Sequence, residues 1–298
     1  MKFQNNMKII SINILVCGDK MQKLNKLYFA TAGFPTTTKS NLFNAIDEIK
    51  RLKLDGLELE FVQNVWLKYK DNELTKKIIK AKDDLIFTAH ASYYINLASL
   101  EKVKVMASVH RIYQTAQACA SVNGYSITFH PGFYINETKT AAYNQTKQYL
   151  KETIKKIKDN DINIWVRPET TGKETQFGNL EECIKLSEEC EMVLPCIDFA
   201  HLHARYNGIN NTKEEWQNIL NLMEKRLGRN ALDNMHIHLS GINYTAKGER
   251  NHLILKESDL NWKILLDVLK EYKVKGILVC ESPNIESDAL LMKNYFNK

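Results

Sequence analysis

Eight short apolar runs, rich in β-branched and aromatic residues, alternate along the chain with longer amphipathic stretches. Between the runs, apolar residues recur at helical spacing, as at Leu42, Ala45, Ile46 and Ile49. Strands that alternate with helices form βαβ units and pair in parallel. Eight such units in one undivided chain predict a closed (β/α)8 TIM barrel rather than an open doubly wound sheet. The predicted strands are residues 27–33, 56–61, 85–90, 125–130, 162–169, 192–198, 234–239 and 276–281.

The chain length and composition suit one such domain. Of the 298 residues, we assign 21–298 to the barrel and 1–20 to an N-terminal leader, because Met21 precedes the first convincing strand. A hydrophobic content of 44% with only 12 Gly and 5 Pro excludes collagen-like and disordered classes, and no apolar stretch is long enough to span a bilayer. Six scattered cysteines without a C-x-x-C pair indicate reduced thiols, so we predict a cytoplasmic protein.

Charge and missing motifs narrow the function classes. The net charge of +6 favours anionic partners without requiring them. Neither of the glycine-rich phosphate-binding signatures occurs, and the segment 33–39 lacks the Gly-Lys pair of a phosphate loop. Metalloprotease and α/β-hydrolase signatures are also absent. Nucleotide hydrolysis and serine esterase chemistry are therefore disfavoured.

Nearly every predicted strand from the third onward ends in, or carries, a residue type that binds metals. These residues are His90, His130, Glu169, Asp198, His236, His238 and Glu281. In a parallel barrel all strand carboxyl ends lie on one face, which hosts the active site. Burying several carboxylates and imidazoles together without compensation would cost several kcal/mol each. The pattern therefore predicts a bound cation at that face.

The residue types indicate the kind of metal centre. Mixed imidazole and carboxylate ligation suits zinc and tolerates manganese or iron, and the absence of cysteine at these strand ends favours a catalytic site. The set exceeds the three protein ligands of a single catalytic zinc, so we expect more than one ion. Two closely spaced ions stabilise both the attacking and the leaving oxygens of a phosphoryl displacement. Glu169 is the natural bridge, and Asp198 is followed three residues later by His201.

From about residue 27 to residue 284 the sequence resembles the endonuclease IV family, zinc-dependent apurinic/apyrimidinic endonucleases on a xylose isomerase-like barrel. The motifs are HASYYINL at 90–97, FHPG at 129–132, ETTG at 169–172 with GNL at 178–180, CIDFAH at 196–201, HLS at 238–240 and CESPN at 280–284. The resemblance implies cleavage of double-stranded DNA on the 5′ side of an abasic site. It implies two or three zinc ions, and we expect the protein to act as a monomer.

The resemblance also assigns residues. It implies a first zinc on His90, His130 and Glu169, and a third zinc on His201. The second zinc would be held by Glu169, Asp198, His238 and Glu281, with Glu169 and Glu281 as the catalytic carboxylates. Tyr93, with Tyr94 beside it, would enter the DNA minor groove. We expect phosphate contacts from Lys39, Lys173, Lys247 and Arg250.

Two positions leave alternatives open. The family pattern Asp-Arg-His after the seventh strand is here Glu249-Arg250-Asn251, with His252 displaced by one residue. Glu249 can replace an aspartate ligand, but Asn251 supplies no imidazole, so use of His252 requires a rearranged loop. His236 and His238 point to the same face of one strand, and we prefer His238 because the family's Leu-Ser pair follows it.

Two other functions remain open from sequence alone. A sugar isomerase or epimerase of the same superfamily would use one divalent ion in a similar ring of His and carboxylate side chains. A DNA-binding homologue without catalysis would explain the altered third-metal loop.

Overall fold

The computed structural model describes residues 21–38, 41–134 and 138–298. The predicted leader, 1–20, and the predicted phosphate contact Lys39 lie outside the described residues. The barrel strands are β1 (Leu27–Ala32), β2 (Gly56–Glu60), β3 (Ile86–His90), β4 (Ser126–Phe129), β6 (Trp165–Pro168), β8 (Cys196–Asp198), β9 (Met235–Leu239) and β12 (Gly276–Cys280). Two short antiparallel pairs are added: β5 (Gly132–Phe133) with β7 (Gln176–Phe177), and the hairpin of β10 (Gly241–Thr245) with β11 (Gly248–Leu253).

Helices follow the strands. They are α1 (Leu42–Arg51), α2 (Asn72–Lys82), α3 (Lys102–Ser121), α4 (Lys139–Lys158), α5 (Leu180–Glu189), α6 (Phe199–Arg205), α7 (Lys213–Leu227), α8 (Arg229–Leu232), α9 (Trp262–Glu271) and α10 (Glu286–Phe296). Helix α1 illustrates why they form. The side chain of Asn41 accepts hydrogen bonds from the first backbone amides, and the predicted apolar face of Leu42, Ala45, Ile46 and Ile49 is buried.

The eight barrel strands form one parallel sheet in the order β6-β4-β3-β2-β1-β12-β9-β8. Two isolated parallel bridges, Val166 with Val193 and Glu169 with Cys196, join the outer strands β6 and β8 and close the barrel. This confirms the predicted (β/α)8 TIM barrel. Within this part of the chain, no helix is long and apolar enough to cross a membrane.

One predicted strand is shorter than expected. Residues 192–198 form a regular strand only at Cys196–Asp198, with Val193 contributing a single bridge. Met192 has a positive φ of 59°, and Pro195 has no amide hydrogen to donate to a neighbouring strand. The chain therefore enters the barrel irregularly, although the position of Asp198 at the strand end is as predicted.

Candidate metal centre

The predicted ligand residues meet at the carboxyl ends of the barrel strands. We call this set the mouth cluster: His90, His130, Glu169, Asp198, His201, His238 and Glu281, with Glu249 and His252 at its side. Its members lie on β3, β8, β9, β11 and helix α6, and at the positions directly after β4, β6 and β12. Residues far apart in the sequence thus lie within a few ångströms of one another, as the parallel barrel predicts.

Glu169 lies at the centre of the mouth cluster. Its Oε2 is 3.2 Å from His90 Nε2, and its Oε1 is 3.2 Å from His130 Nε2. The same Oε1 is 3.3 Å from His201 Nδ1 and 3.4 Å from His238 Nδ1. One carboxylate therefore contacts imidazoles from four different segments, which is the position that a bridging ligand requires.

Three groups of donor atoms are each compact enough to hold a metal ion. The first is His90, His130 and Glu169; the second is Glu169, Asp198, His238 and Glu281; the third is Asp198, His201 and His252. In each group the donor atoms lie within 4.8 Å of one another. The first two groups coincide with the ligand sets that the resemblance implies.

The chemistry of these side chains fits bound cations. Glu169 Oε1, Asp198 Oδ2, His238 Nδ1 and Glu281 Oε2 are buried and have no hydrogen-bond partner within the described residues. Buried polar atoms in native proteins are nearly always satisfied, because an unpaired one costs free energy. Divalent ions on this imidazole and carboxylate set would satisfy all four atoms.

Protonation equilibria in the mouth cluster are strongly shifted. Burial raises the pKa of Asp198 well above its usual range, and the charge of His201 only partly offsets this. Burial also acts on Glu169, but the neighbouring His130 and His238 hold its pKa well below the usual range. Groups with pKa values shifted in opposite directions within one crevice are typical of functional sites.

Helix α6 and the strand before it orient two of these residues. Asp198 is both the last residue of β8 and the N-cap of α6, where its Oδ1 accepts a hydrogen bond from the His201 backbone amide at 2.6 Å. Its other oxygen is 3.2 Å from His201 Nδ1. The cap therefore fixes the carboxylate and the imidazole together, which explains the spacing of three residues.

The pairing of β10 with β11 determines whether residue 251 or residue 252 faces His201. Its register shifts between Asn243 and Tyr244: Asn243 pairs with Asn251, but Tyr244 pairs with Glu249, so Arg250 is an extra residue. This β-bulge changes the alternation of side chains. Glu249 and His252 consequently lie on one face of β11, and the side chains of Asn251 and Arg250 are exposed elsewhere.

The rearranged loop that the sequence requires for His252 is thus a β-bulge. Glu249 Oε2 is 3.5 Å from His201 Nε2, and Glu249 Oε1 is 4.0 Å from His252 Nε2. Gly172 permits the approach, because a Cβ there would lie 2.6 Å from the Glu249 carboxylate. The structure therefore brings His252, and not Asn251, to His201.

The predicted DNA-contacting residues lie at the rim. Tyr93 is 58% exposed, and its ring centroid is 5.4 Å from that of His90 and 6.1 Å from that of His130. Tyr94 is 67% exposed and packs against the Arg111 guanidinium. Arg250 and Lys247 are exposed on the hairpin, and Lys173 is partly exposed beside Gly172. Tyr93 therefore borders the mouth cluster, and Arg250 and Lys247 belong to the hairpin that carries Glu249.

Sequence reasoning missed two carboxylates on β2. Glu58 is fully buried, with its oxygens 3.1 Å from His236 Nε2 and 2.9 Å from His238 Nε2. Burial, together with the charge of Glu58, raises the pKa of Glu60 to about 8. The signal was present in the segment 56–61, where two acids alternate with apolar residues on one face of a buried strand.

Comparisons with known proteins identify the fold family and two kinds of relative. The family described as xylose isomerase-like TIM barrel matches residues 46–294. An uncharacterised protein of Methanocaldococcus jannaschii is 42% identical over 91% of this chain and 97% of its own length. A probable endonuclease 4 of Mycoplasma pneumoniae is 28% identical over 65% of this chain and 67% of its own.

Solved structures reproduce the barrel without separating the two enzyme classes. A D-tagatose 3-epimerase-like protein superposes with a TM-score of 0.69 at 18% identity, over 91% of this chain and 96% of that one. Endonuclease IV from Thermus thermophilus superposes with a TM-score of 0.68 at 17% identity, over 91% of this chain and 99% of that one. At such identities these matches establish the fold alone.

Proposed function

The chain belongs to the xylose isomerase-like TIM barrel family, and from that premise we propose that it is a metal-dependent apurinic/apyrimidinic endonuclease that cleaves DNA 5′ of an abasic site. The observation that carries the proposal is the division of the mouth cluster into three adjacent groups sharing Glu169 and Asp198. One group suffices for an enzyme that polarises a sugar. Three adjoining groups suit a phosphodiester, because the attacking, non-bridging and leaving oxygens all carry charge during its hydrolysis.

The residues of the mouth cluster would hold zinc, with manganese or iron as substitutes. When bound, the ions would activate water for attack on phosphorus and neutralise charge on the phosphate oxygens. The protein supplies the geometry. Glu169 belongs to both the first and the second group. In the second group, Glu281 Oε1 lies 3.2 Å from His238 Nδ1 and orients that ring. No further protein nucleophile is required.

The rim residues support double-stranded DNA as the substrate. Tyr93 and Tyr94 present aromatic faces beside the mouth cluster, where they can fill the space of a missing base. An abasic sugar is extruded from the helix at reduced cost because it has no base to unpair. Arg250 and Lys247 belong to the hairpin that carries Glu249, Lys173 lies beside Gly248 of that hairpin, and all three are suited to phosphate contacts.

The proposal places the protein in the cytoplasm as a monomer. The five described cysteines, Cys119, Cys183, Cys190, Cys196 and Cys280, are all buried and unbridged. Free buried thiols are typical of a reducing compartment.

The direct test uses the protein with verified zinc content and a duplex carrying one abasic site. We expect incision immediately 5′ of the site, leaving a 3′-hydroxyl that a DNA polymerase extends. An otherwise identical undamaged duplex should remain intact. A fully metal-loaded preparation that leaves the abasic duplex uncut would refute the proposal.

The second group by itself favours one other candidate, a sugar epimerase. Its three carboxylates, Glu169, Asp198 and Glu281, reach one ion position from different strand ends, and Glu169 and Glu281 offer an acid–base pair. Such a pair can remove and return a proton on opposite faces of a sugar. Incubation with free ketoses separates the candidates: proton exchange with solvent at carbon 3, without DNA incision, would replace the nuclease by the epimerase.

A further inference from the structure

A second cluster of metal-binding side chains lies deeper in the barrel. We call it the inner cluster: Glu58 on β2, Cys196 on β8, and His236 and His238 on β9. All four side chains are fully buried. The donor atoms of Cys196, His236 and His238 lie within 4.8 Å of one another, and the Glu58 carboxylate is about equally close to both imidazoles.

Hydrogen bonding does not account for this convergence. His236 Nε2, His238 Nε2 and Glu58 Oε1 have no hydrogen-bond partner among the described residues, although N···O distances of 3.1 and 2.9 Å bring the groups together. The ring N–H directions therefore miss the carboxylate oxygens. Glu169 Oε1 in the mouth cluster has the same combination of a short N···O distance, 3.2 Å to His130, and no hydrogen bond. Donor atoms arranged around a common point produce this pattern.

Hydrogen bonds instead form at the atoms of His236 and Glu58 that point away from the centre of the inner cluster. Ser126 Oγ lies 2.9 Å from His236 Nδ1, so the opposite nitrogen of that ring faces the cluster. Thr88 Oγ1 donates to Glu58 Oε2 at 2.7 Å. Partners of this kind fix the orientation of metal ligands in known sites.

The charges and donor types point to one class of ion. A thiolate and two imidazoles are ligands that suit zinc, and the Glu58 carboxylate lies beside both imidazoles. A divalent cation offsets the negative charges of Cys196 and Glu58, whereas either charge alone in the barrel interior would be costly. These side chains are all fully buried, which leaves no route for a substrate to an ion held here and favours a structural rather than a catalytic site.

We propose that Cys196, His236 and His238, with Glu58 beside the two imidazoles, form a structural zinc site inside the barrel, beneath the mouth cluster and joined to it through His238. His238 contributes to both sites, because its Nε2 faces Glu58 and its Nδ1 faces Glu281. A ring that binds through both nitrogens is an imidazolate, which has released both ring protons. The proposal does not depend on DNA cleavage, since no substrate is involved in it.

Cobalt(II) substitution tests the inner site directly. A thiolate bound to cobalt gives a charge-transfer absorption in the near ultraviolet, which nitrogen and oxygen ligands do not give. The three groups of the mouth cluster contain no cysteine, so they contribute nothing to this band. We expect the cobalt-loaded protein to show the band and Cys196→Ser to lose it, together with one bound ion per chain by elemental analysis.

Cys280→Ser is the matched control, because Cys280 is also fully buried in a barrel strand but lies outside the inner cluster. It should keep both the band and the ion. Absence of the band from the wild-type protein while the mouth cluster binds cobalt would overturn the proposal, and that result requires no variant to fold. The inner cluster would then be a hydrogen-bonded support for His238, and the test of DNA incision would be unaffected.

Discussion

At the scale of single residues, the mouth cluster depends on one carboxylate. Glu169 is fully buried, and its two oxygens approach imidazoles of His90, His130, His201 and His238. The third group around His201 depends on two local features: Gly172 has no Cβ to block Glu249, and the extra residue Arg250 turns His252 toward His201. Individual atoms, rather than overall charge, therefore control the chemistry of this face.

Glu169→Gln should abolish the proposed activity while leaving the fold intact. The amide keeps the size of the side chain but removes the negative charge that two donor groups share, so we expect at least a ~100-fold loss of incision, on the order of what metal-site partners cost. Incision rates and bound zinc per chain measure the effect. Glu174→Gln is the control, because Glu174 is an exposed carboxylate on the same loop. Equal activity of the two variants would contradict the role assigned to Glu169.

At the scale of secondary-structure elements, strand ends and caps position the ligands. Asp198 terminates β8 and caps α6, and the β10–β11 hairpin packs against α6 through Ile242 and Tyr244. Tyr244 donates a 2.6 Å hydrogen bond to Asp259, which also contacts His203. His203 therefore anchors the hairpin and lies outside the mouth cluster.

The bulge in β11 makes opposite predictions for two adjacent residues. His252→Ala removes the imidazole that faces His201 and should lower bound zinc by one ion per chain. Asn251→Ala should leave the zinc content unchanged, because this exposed side chain lies on the other face of the strand. Elemental analysis of both purified variants checks this. Loss of an ion from Asn251→Ala alone would show that the bulge lies elsewhere in solution.

Helix α7 carries a capping box that should contribute measurably to stability. Thr212 accepts a hydrogen bond from the Glu215 amide, and the Glu215 side chain accepts from the Thr212 amide. Thr212→Ala leaves the Glu215 amide unsatisfied and should lower the free energy of unfolding by about 1 kcal/mol. Thr212→Ser keeps the hydroxyl and should lose much less. Denaturant unfolding of the two variants measures the difference. Equal losses of unfolding free energy would show that the Thr212 hydroxyl does not stabilise the helix.

At the scale of the whole molecule, barrel closure brings distant side chains to one end. Parallel pairing in one continuous ring aligns every strand end, and the bridges between β6 and β8 complete the ring beside Glu169. Buried imidazoles and carboxylates at this end oppose compact packing unless cations bind them. Metal binding and global stability should therefore be linked.

Removing the metal should destabilise the entire barrel reversibly. Each ion that binds only the folded chain adds about 2.7 kcal/mol when its free concentration is about 100-fold above Kd. Calorimetry should show a Tm that falls on chelation and recovers when zinc is restored. Glu169→Gln should respond less, because its mouth cluster has lost a shared ligand. A Tm independent of chelator would contradict ion binding at the mouth.

Much of this architecture follows from local pattern. Alternating strands and amphipathic helices predict the barrel, since hydrophobic periodicity is a property of neighbouring residues. Ligand residue types at strand ends predict that His90, His130, Glu169, Asp198 and Glu281 converge, because parallel strands end on one face. The sequence does not predict the role of Glu58 and Glu60, because the function of an acid within a strand depends on the side chains that face it across the barrel.

The sequence by itself determined the fold, the face that carries the site and most of its ligand types, because these depend on periodicity and on strand direction. Only the tertiary structure decided between His252 and Asn251, and showed that His236 and His238 both contact Glu58 but only His238 also reaches Glu169 and Glu281. The physical reason is that both choices rest on contacts between distant segments. A hairpin register sets the face of β11, and depth along a barrel strand sets which histidine reaches the mouth.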